Sequence, residues 1–559
     1  MKENVDITFV VPAFKPKMKE ESIGTLILAK KLLLNRYEIS IARYWDVEPS
    51  PYEDYDSFRN AFVAHILSKH SKIVSFYCRC EEYHICIDLA SRIKELSPST
   101  KIVFGGPQAE LVAKETIRRF ESVDYVCCSE GENTITPLLN WIINKNAELC
   151  YAHEIPGLTY RDISGNVIQN QFPDFLPDNY VRPYFYYDLI PKSVWTSTKS
   201  VALDVGRGCP FSCTFCSTKT FWKRKYRLRN ITNILDEIEY LVNNYGVKQF
   251  DFKHDLFTVS KKRILQFCEG LKKLSANIEW GCDSRIGVID TEMIDAMVDS
   301  GLTNIFFGIE SGSNEMQRII NKRLNLEEAD KIVRYSLSKG LKVTTSFIYG
   351  FPEETDETVS ETMKLAVRFQ NYGANVLTNM CHITNGTEMF EKYQDKLIFS
   401  EKTSFNQCII GLVQLRTLIL ENLHMFANFC DYPNPLRQEL SFFDAFRYAL
   451  NYSYRNMPSE QSMLMENDYA SLSMYRIFCK ANQTILGRII PSADGNVTST
   501  RKLLKHNTAK ELYVQMIRNL VNSLRLVTKK AAKKRFCSIL ENFQDMDLML
   551  MVVAFWLVN

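Results

Sequence analysis

Cys209-Pro210-Phe211-Ser212-Cys213-Thr214-Phe215-Cys216 packs three thiols into one short loop with C-x3-C-x2-C spacing. Thiolates spaced in this way suit three irons of a [4Fe–4S] cluster, a group that usually takes four Cys ligands. The run lacks the fourth, so one iron would stay open to bind and cleave a substrate. A structural zinc site is the competing reading. Such sites close with four ligands, often as two separated pairs. No second Cys pair follows at that spacing, and no His stands close behind Cys216.

The residues around this loop form a β/α series from 196 to about 395. A strand at Val201–Val205 feeds the cysteines. Gln249–Phe252 leads into Lys253-His254-Asp255, and Ile278–Gly281 into Cys282-Asp283-Ser284-Arg285. Asn304–Phe307 leads into Gly308-Ile309-Glu310-Ser311, Val343–Phe347 into Ile348-Tyr349-Gly350-Phe351-Pro352-Glu353, and Asn375–Met380 into Cys381-His382. Six such units predict a partial (β/α)6 barrel with its polar residues at the strand C-termini, where βα barrels keep their sites.

Upstream, residues 1–142 also alternate strand and helix: strands at Ile7–Val11, Glu38–Ala42, Ile73–Phe76, Lys101–Phe104 and Tyr125–Cys128, with helices between several of them. This is the pattern of a doubly wound, Rossmann-like parallel sheet, whose ligands bind beyond the carboxyl ends of the strands. Gly105-Gly106-Pro107 sits there, and glycine lets a backbone approach a ligand closely. Residues 143–195 carry five prolines without a clear period and read as a linker that covers the interface. Residues 396–559 read as a mostly helical domain (Leu412, Leu415, Leu418 and Ile419 share a face) that closes over the barrel mouth. Its aromatics Tyr469, Tyr475 and Phe478 read as core rather than as a substrate cage.

At 559 residues the chain has room for three or four domains. A net charge of +3 gives no reason to expect nucleic-acid binding. The cluster Lys529-Lys530 with Lys533-Lys534-Arg535 reads as a solvated helix face. A polar N-terminus running into a strand and 16 cysteines read together as free thiols in a reducing, cytoplasmic compartment. The longest apolar run, Leu548–Val558, is too short to span a bilayer, so no membrane association is expected.

The ordered motifs over residues 198–390 resemble the radical SAM enzymes, and the domain ahead of them resembles the cobalamin-binding domain that precedes many such cores. The resemblance implies that Cys209, Cys213 and Cys216 hold the cluster, with Phe215 as the adjoining aromatic. It implies that Glu310 and Ser311 contact S-adenosylmethionine (SAM), and that Ile348, Gly350 and Glu353 support its adenine. Asp255 would place the SAM amino group, with His254 where a second acid is common, and Arg285 would pair with its carboxylate. Gly386-Thr387 resembles a Pro-Gly-Thr turn, with Asn385 in the proline position. The cobalamin contacts implied are Ser22, Gly24, Ser75, Gly105, Gly106, Pro107, Glu130 and Gly131. The loop from Pro12 to Gly24 holds no His, so the cobalt would lack a His ligand, and Arg79 after the third strand would face it from below. Each motif also has a structural reading: Ser311 as a helix cap, Glu353-Glu354 as first-turn acids, Arg285 as an ion pair and Arg79 as a surface residue.

Catalytic residues stay open, with Cys282, Cys381, His254 and His382 as candidates beside the reading that they are core cysteines and hydrogen-bonded histidines. The resemblance implies methylation of an unactivated carbon in a peptide or small natural-product intermediate. The cluster would be reduced by a donor such as flavodoxin or ferredoxin. Cyclisation or rearrangement without methyl transfer is the alternative, and a non-catalytic iron–sulfur or corrinoid sensor comes last.

Overall fold

The computed structural model describes residues 5–12, 21–143, 151–197, 200–274, 277–400, 410–440, 443–456, 470–483, 486 and 514–520. Five parallel strands form the N-terminal sheet: β1 (Ile7–Val11), β2 (Ile39–Arg43), β3 (Ile73–Tyr77), β4 (Lys101–Gly105) and β5 (Tyr125–Cys127), in the order β2-β1-β3-β4-β5. β1 is buried throughout because helices cover both faces of the sheet. Ile7 and Phe9 pack with Ala29, Leu32 and Leu138 on one side. Val10 packs with Phe62 and Ile93 on the other. The strand order reverses between β1 and β3, which opens a crevice at their carboxyl ends.

The sheet extends into the stretch that reads as a linker. β6 (Leu158–Arg161) and β7 (Val167–Gln169) form a hairpin that joins β5 antiparallel. Its turn is closed by Asp162, which accepts from the amides of Ser164 and Asn166, with Gly165 at φ +83°. Strands of three and four residues are too short to show a period, which is why the hairpin is hidden in the sequence.

The second sheet is parallel, six-stranded and open: β8 (Val201–Asp204), β11 (Gln249–Lys253), β12 (Glu279–Ser284), β13 (Leu302–Glu310), β14 (Lys342–Tyr349) and β15 (Asn375–Met380), in the order β15-β14-β13-β12-β11-β8. Between β8 and β11 lies an antiparallel ribbon of β9 (Gly206–Arg207) and β10 (Arg227–Leu228), and the cysteine loop is the hairpin that joins its two strands. On the outer face Trp280 is buried against Phe252, with ring centroids 5.1 Å apart.

Of the region expected to close over the barrel mouth, Arg437 reaches the strand ends, donating to the carbonyls of Gly350 and Cys381, and the other described residues pack on either domain. Ile410, Ile419, Phe426 and Phe429 join the core of the N-terminal domain, where the backbone oxygen of Ile410 lies 2.9 Å from His84 Nε2. Helices Phe443–Asn456 and Leu472–Ala481 pack on the outer helix Asp356–Tyr372. Tyr475 and Phe478 are buried there as core. Tyr469, the 529–535 basic cluster and the 548–558 run lie outside the described residues.

One buried ion network fastens the irregular segment around Arg182 to the second domain. Glu237 accepts from Arg182 Nη2 at 2.7 Å, from Arg229 Nη1 at 2.7 Å and from the Tyr187 hydroxyl at 2.9 Å. Arg182 Nη1 also reaches Asp204 at 3.1 Å. Burial alone would raise the Asp204 carboxyl, but Arg207 and Arg182 hold it below its usual value. Glu237→Ala would strand two buried guanidinium groups. Thermal or urea unfolding should show a loss of about 3–5 kcal/mol; an unchanged midpoint would disprove the network's structural role.

Candidate active site between the two sheets

A cavity of about 570 Å³ lies between the carboxyl edge of the first sheet and the mouth of the second. One wall comes from the switch-point edge: Gly24, Ser75, Tyr77, Gly105-Gly106-Pro107 and Ser129-Glu130-Gly131. The other comes from Gly206-Arg207, Ser217–Thr218, Phe221-Trp222, His254-Asp255 and Asp283. Apolar side chains such as Ile23, Ile27 and Leu28 line its base. Size and lining are those of a large-ligand pocket.

The first wall contains most of the expected contacts, and the structure explains several of them locally. Gly106 has φ +96°, and a Cβ there would stand 2.9 Å from the Cys78 carbonyl oxygen and 3.0 Å from the Tyr77 ring. Ser129 also has positive φ (+69°); its amide donates to Glu110 Oε2 at 2.5 Å. Its hydroxyl oxygen is buried with no partner inside the protein, so the cavity has a polar group left to meet a ligand. Ser22 instead caps helix Ile23–Leu34, accepting from Thr25 N at 3.3 Å. Arg79 pairs with buried Glu82 at 2.8 Å and is not part of the wall. Tyr77, at the start of the same loop, lines the wall instead, and burial pushes its phenol up to about 12.

His254 is the imidazole on the cavity wall, and both of its nitrogens are committed. Nδ1 accepts from Leu256 N at 3.0 Å, which leaves Nε2 to donate to the Arg227 carbonyl at 3.1 Å. Burial lowers its pKa to about 4. The other catalytic candidates are removed from the cavity. Cys282 faces the outer core with Trp280, and Cys381 sits in a separate apolar cluster with Phe351 and Met389. Burial pushes both thiols up, Cys381 to about 12. His382 is held neutral by burial, to about 3, and its Nδ1 has no partner. Strand parity turns the neighbour of Cys282 inward instead: Asp283 lines the cavity, and loss of solvent around it, aided by the nearby Asp251 and Asp255, raises its carboxyl to about 6.

The cysteine loop adjoins this space through Ser217–Trp222. Cys213 is buried, while Cys209 and Cys216 are half-buried. The loop is held by Thr214 N to Ile320 O (3.0 Å), and by Asn321 Nδ2 to the carbonyl and hydroxyl of Ser212 (both 3.0 Å). Burial raises the Cys209 thiol to about 11 and raises that of Cys216. Among the described residues no three His, Cys, Asp or Glu side chains converge on a single-ion site. A cubane does not require that, since each thiolate takes its own iron. Arg285 stacks 3.9 Å from the Phe211 ring centroid, with Nη1 3.8 Å from Cys213 Sγ and Nη2 donating to the Lys322 carbonyl.

The remaining expected contacts fall into two groups. Asp255 borders the cavity and accepts from Gly208 N at 2.7 Å; burial raises its carboxyl. Glu310 ends β13 at φ +69° and binds Lys322 Nζ at 2.7 Å. In contrast, Ser311 is buried and committed to Thr362 (2.8 Å) and Ser313 N (3.1 Å), which makes it a lock on its own turn. Ile348 packs beside Phe215 and Phe351. Gly350 has φ +78° and its carbonyl accepts from Arg437 at 2.7 Å. Glu353 is bound by Lys392 at 2.8 Å and by the Tyr393 hydroxyl. Its neighbour Glu354 holds the turn, accepting from the amides of Gly350 and Phe351. Asn385 shows why that position departs from proline: its side chain accepts from Gln108 Nε2 at 3.0 Å and donates to the His424 carbonyl at 2.6 Å. Thr387 caps the following helix.

Residues 203–366 match the model of the radical SAM superfamily. The chain carries a radical SAM domain. The chain is 30% identical over 309 residues to an uncharacterized methyltransferase of Pyrococcus horikoshii, covering 54% of this chain and 66% of that one. It is 27% identical over 283 residues to the anaerobic magnesium-protoporphyrin IX monomethyl ester cyclase of Rubrivivax gelatinosus, covering 49% and 50%. The chain thus spans between half and two thirds of these relatives' lengths. Among solved structures, the cobalamin-dependent S-adenosylmethionine radical enzyme OxsB aligns with 99% of this chain and 84% of its own, at TM-score 0.61 and 15% identity. The radical S-adenosylmethionine methyltransferase TsrM of Kitasatospora setae aligns with 80% and 89%, at TM-score 0.58 and 14% identity. These likenesses establish the two-sheet fold around the radical SAM domain.

Glu354 makes the turn after β14 sensitive to pH. Burial raises its carboxyl from an ordinary value near 4.5 to about 7, against the lowering effect of the two amides. A pKa higher in the folded state means that its contribution to stability is complete below about 4.5 and is lost as pH rises through about 7. Glu354→Gln keeps an acceptor for both amides without the charge. Melting temperatures from pH 5 to 8.5 should show the variant gaining on the parent as pH rises, by up to about 3 kcal/mol. Parallel curves would refute the assignment.

Proposed function

We propose that the chain is a cobalamin-dependent radical SAM enzyme that methylates an unactivated carbon of a small molecule or peptide. The observation that carries this reading is the shared cavity, with one wall from the switch-point edge and the other from the radical SAM domain beside its cysteine loop. Cys209, Cys213 and Cys216 would hold a [4Fe–4S] cluster, which supplies the electron that cleaves SAM. Ser75, Tyr77, Gly105, Gly106, Ser129 and Gly131 would cradle a corrinoid, which supplies a methyl-carrying metal. The orphan Ser129 hydroxyl fits such a ligand.

The chain's own part is placement and charge. Arg285, fixed on Phe211, sets a guanidinium beside the sulfur of Cys213. Glu310, oriented by Lys322, presents a carboxylate at a strand end where SAM would dock, in a charge-assisted arrangement. Asp255 is anchored next to the cysteine loop and suits the SAM amino group. Asp283 keeps its proton to about pH 6 and faces the space left for substrate. A reducing, cytoplasmic setting accords with the thiol state of the described cysteines. The competing reading, ring formation or rearrangement without methyl transfer, has its support in the cyclase relative.

The test is anaerobic reconstitution with iron, sulfide and cobalamin, followed by SAM and reductant. The expected result is a corrinoid absorption spectrum, 5′-deoxyadenosine and a product heavier by one methyl; release of 5′-deoxyadenosine with no methylated product from any accepted substrate would favour the cyclase-like reading. Cys213→Ala should abolish SAM cleavage while corrinoid binding persists, because the two sites use different residues. Glu310→Ala should weaken SAM binding by about tenfold, the scale of a lost charged hydrogen bond, without lowering iron content.

A further inference from the structure

The hairpin that carries the cysteines has a second, outward-facing feature that the cavity does not use. From Lys219 to Arg229 the sequence has six cations and no acid. Arg227 and Arg229 are buried and paired. Lys223, Arg224 and Lys225 are exposed, and none of them forms a salt bridge among the described residues. The acids nearby are Glu388, which takes Lys219 at 2.7 Å, and Glu110, which faces Lys223 from the first domain.

The backbone is shaped to display these charges. Lys223 and Arg224 are consecutive left-handed residues, at φ +48° and +59°, a conformation that costs non-glycine residues about 1–2 kcal/mol each. The turn is tied to the cysteine loop on both sides. Arg224 Nε donates to the Pro210 carbonyl at 3.1 Å, and the Lys225 carbonyl lies so close to Gly208 that a Cβ there would come within 2.0 Å of it. Gly208 and Pro210 flank Cys209. The three cations therefore stand beside Cys209 at the edge of the cysteine loop. Phe172 borders them, with Lys223 Nζ 4.6 Å from its ring centroid.

We infer that this turn is the docking surface for an acidic one-electron carrier protein that reduces the cluster. The inference rests on the proposed cluster, which must receive electrons from outside the chain. The carrier is oxidised by one electron and the cluster is reduced by one; no bond forms and no proton moves. Electron transfer falls off steeply with distance, so a donor has to come close to the cysteine loop, and the turn beside Cys209 presents three exposed cations that form no salt bridge among the described residues. Like patches raise association rates by about 10- to 1000-fold at low ionic strength and lose this advantage in salt.

The test compares the parent with the double variant Lys223→Glu/Lys225→Glu, leaving Arg224 in place to hold the loop. The probe donor is flavodoxin, an acidic flavoprotein. Binding of oxidised flavodoxin is measured by titration at low and high salt. Cluster reduction by fully reduced flavodoxin is followed by electron paramagnetic resonance and compared with reduction by dithionite, a small reductant that needs no docking. The expected result is binding and flavodoxin-driven reduction at least tenfold weaker in the variant, unchanged reduction by dithionite, and a salt dependence found in the parent alone. Equal flavodoxin binding by parent and variant would overturn the proposal. So would loss of reduction with both reductants, because the turn would then be serving the loop's integrity. Should the parent bind no cluster, the proposed function fails, while the titration still decides whether the surface docks an acidic carrier.

Discussion

Glu130 is the constraint on which the arrangement of the two sheets depends. It is 2% exposed, on the loop after β5, and its oxygens accept from three separate parts of the chain. Oε1 takes Arg207 Nη1 and Arg227 Nη1, each at 2.8 Å, and Oε2 takes the Leu176 amide at 2.6 Å. Arg207 uses its other nitrogen for Glu132, at 2.6 Å. Burial would raise the Glu132 carboxyl, but Arg207 holds it below its usual value. A buried carboxylate without its partners is costly by several kcal/mol, so the domains meet in one register, and that register sets the width of the cavity.

Arg207 and Arg227 are also register partners across the ribbon of β9 and β10. They form the two feet of the hairpin that carries Cys209, Cys213 and Cys216. A single carboxylate from the first domain therefore grips the base of the cysteine loop. The far end of the loop is held by the second domain, through Ile320, Asn321 and Arg285. The loop's position relative to the cavity is fixed from both sides, which is the pre-organisation that a reaction between two bound groups requires.

The sequence reveals the strands well because parallel strands buried on both faces are continuous apolar runs, as in Ile7–Val11, and because the cysteine spacing is local. It reveals side-chain roles less well where these depend on parity or on distant partners. Cys282 and Asp283 are adjacent, yet only Asp283 faces the cavity, and a boundary error of one residue exchanges them. Glu130 reads as a ligand contact, while its hydrogen bonds go to Arg207, Arg227 and Leu176, 46 to 97 positions away in sequence. Ser311 reads as a contact for SAM, and its hydroxyl is taken by Thr362 from the helix after the next strand. The hairpin of β6 and β7 is too short to show any period.

The chemistry of the cavity follows from what its wall cannot donate. The imidazole of His254 is locked between a carbonyl and an amide, and its low pKa keeps it neutral. The Tyr77 phenol is neutral at any physiological pH. Cys127, which also borders the space, is a thiol pushed far above its usual range by burial. The strongest charges at the seam, Glu130, Glu132 and Arg207, are spent on one another. A large planar ligand in this cavity would thus be held by shape, backbone groups and isolated hydroxyls. Among the described residues, the first wall would offer a metal neither an imidazole nor a readily ionised thiol.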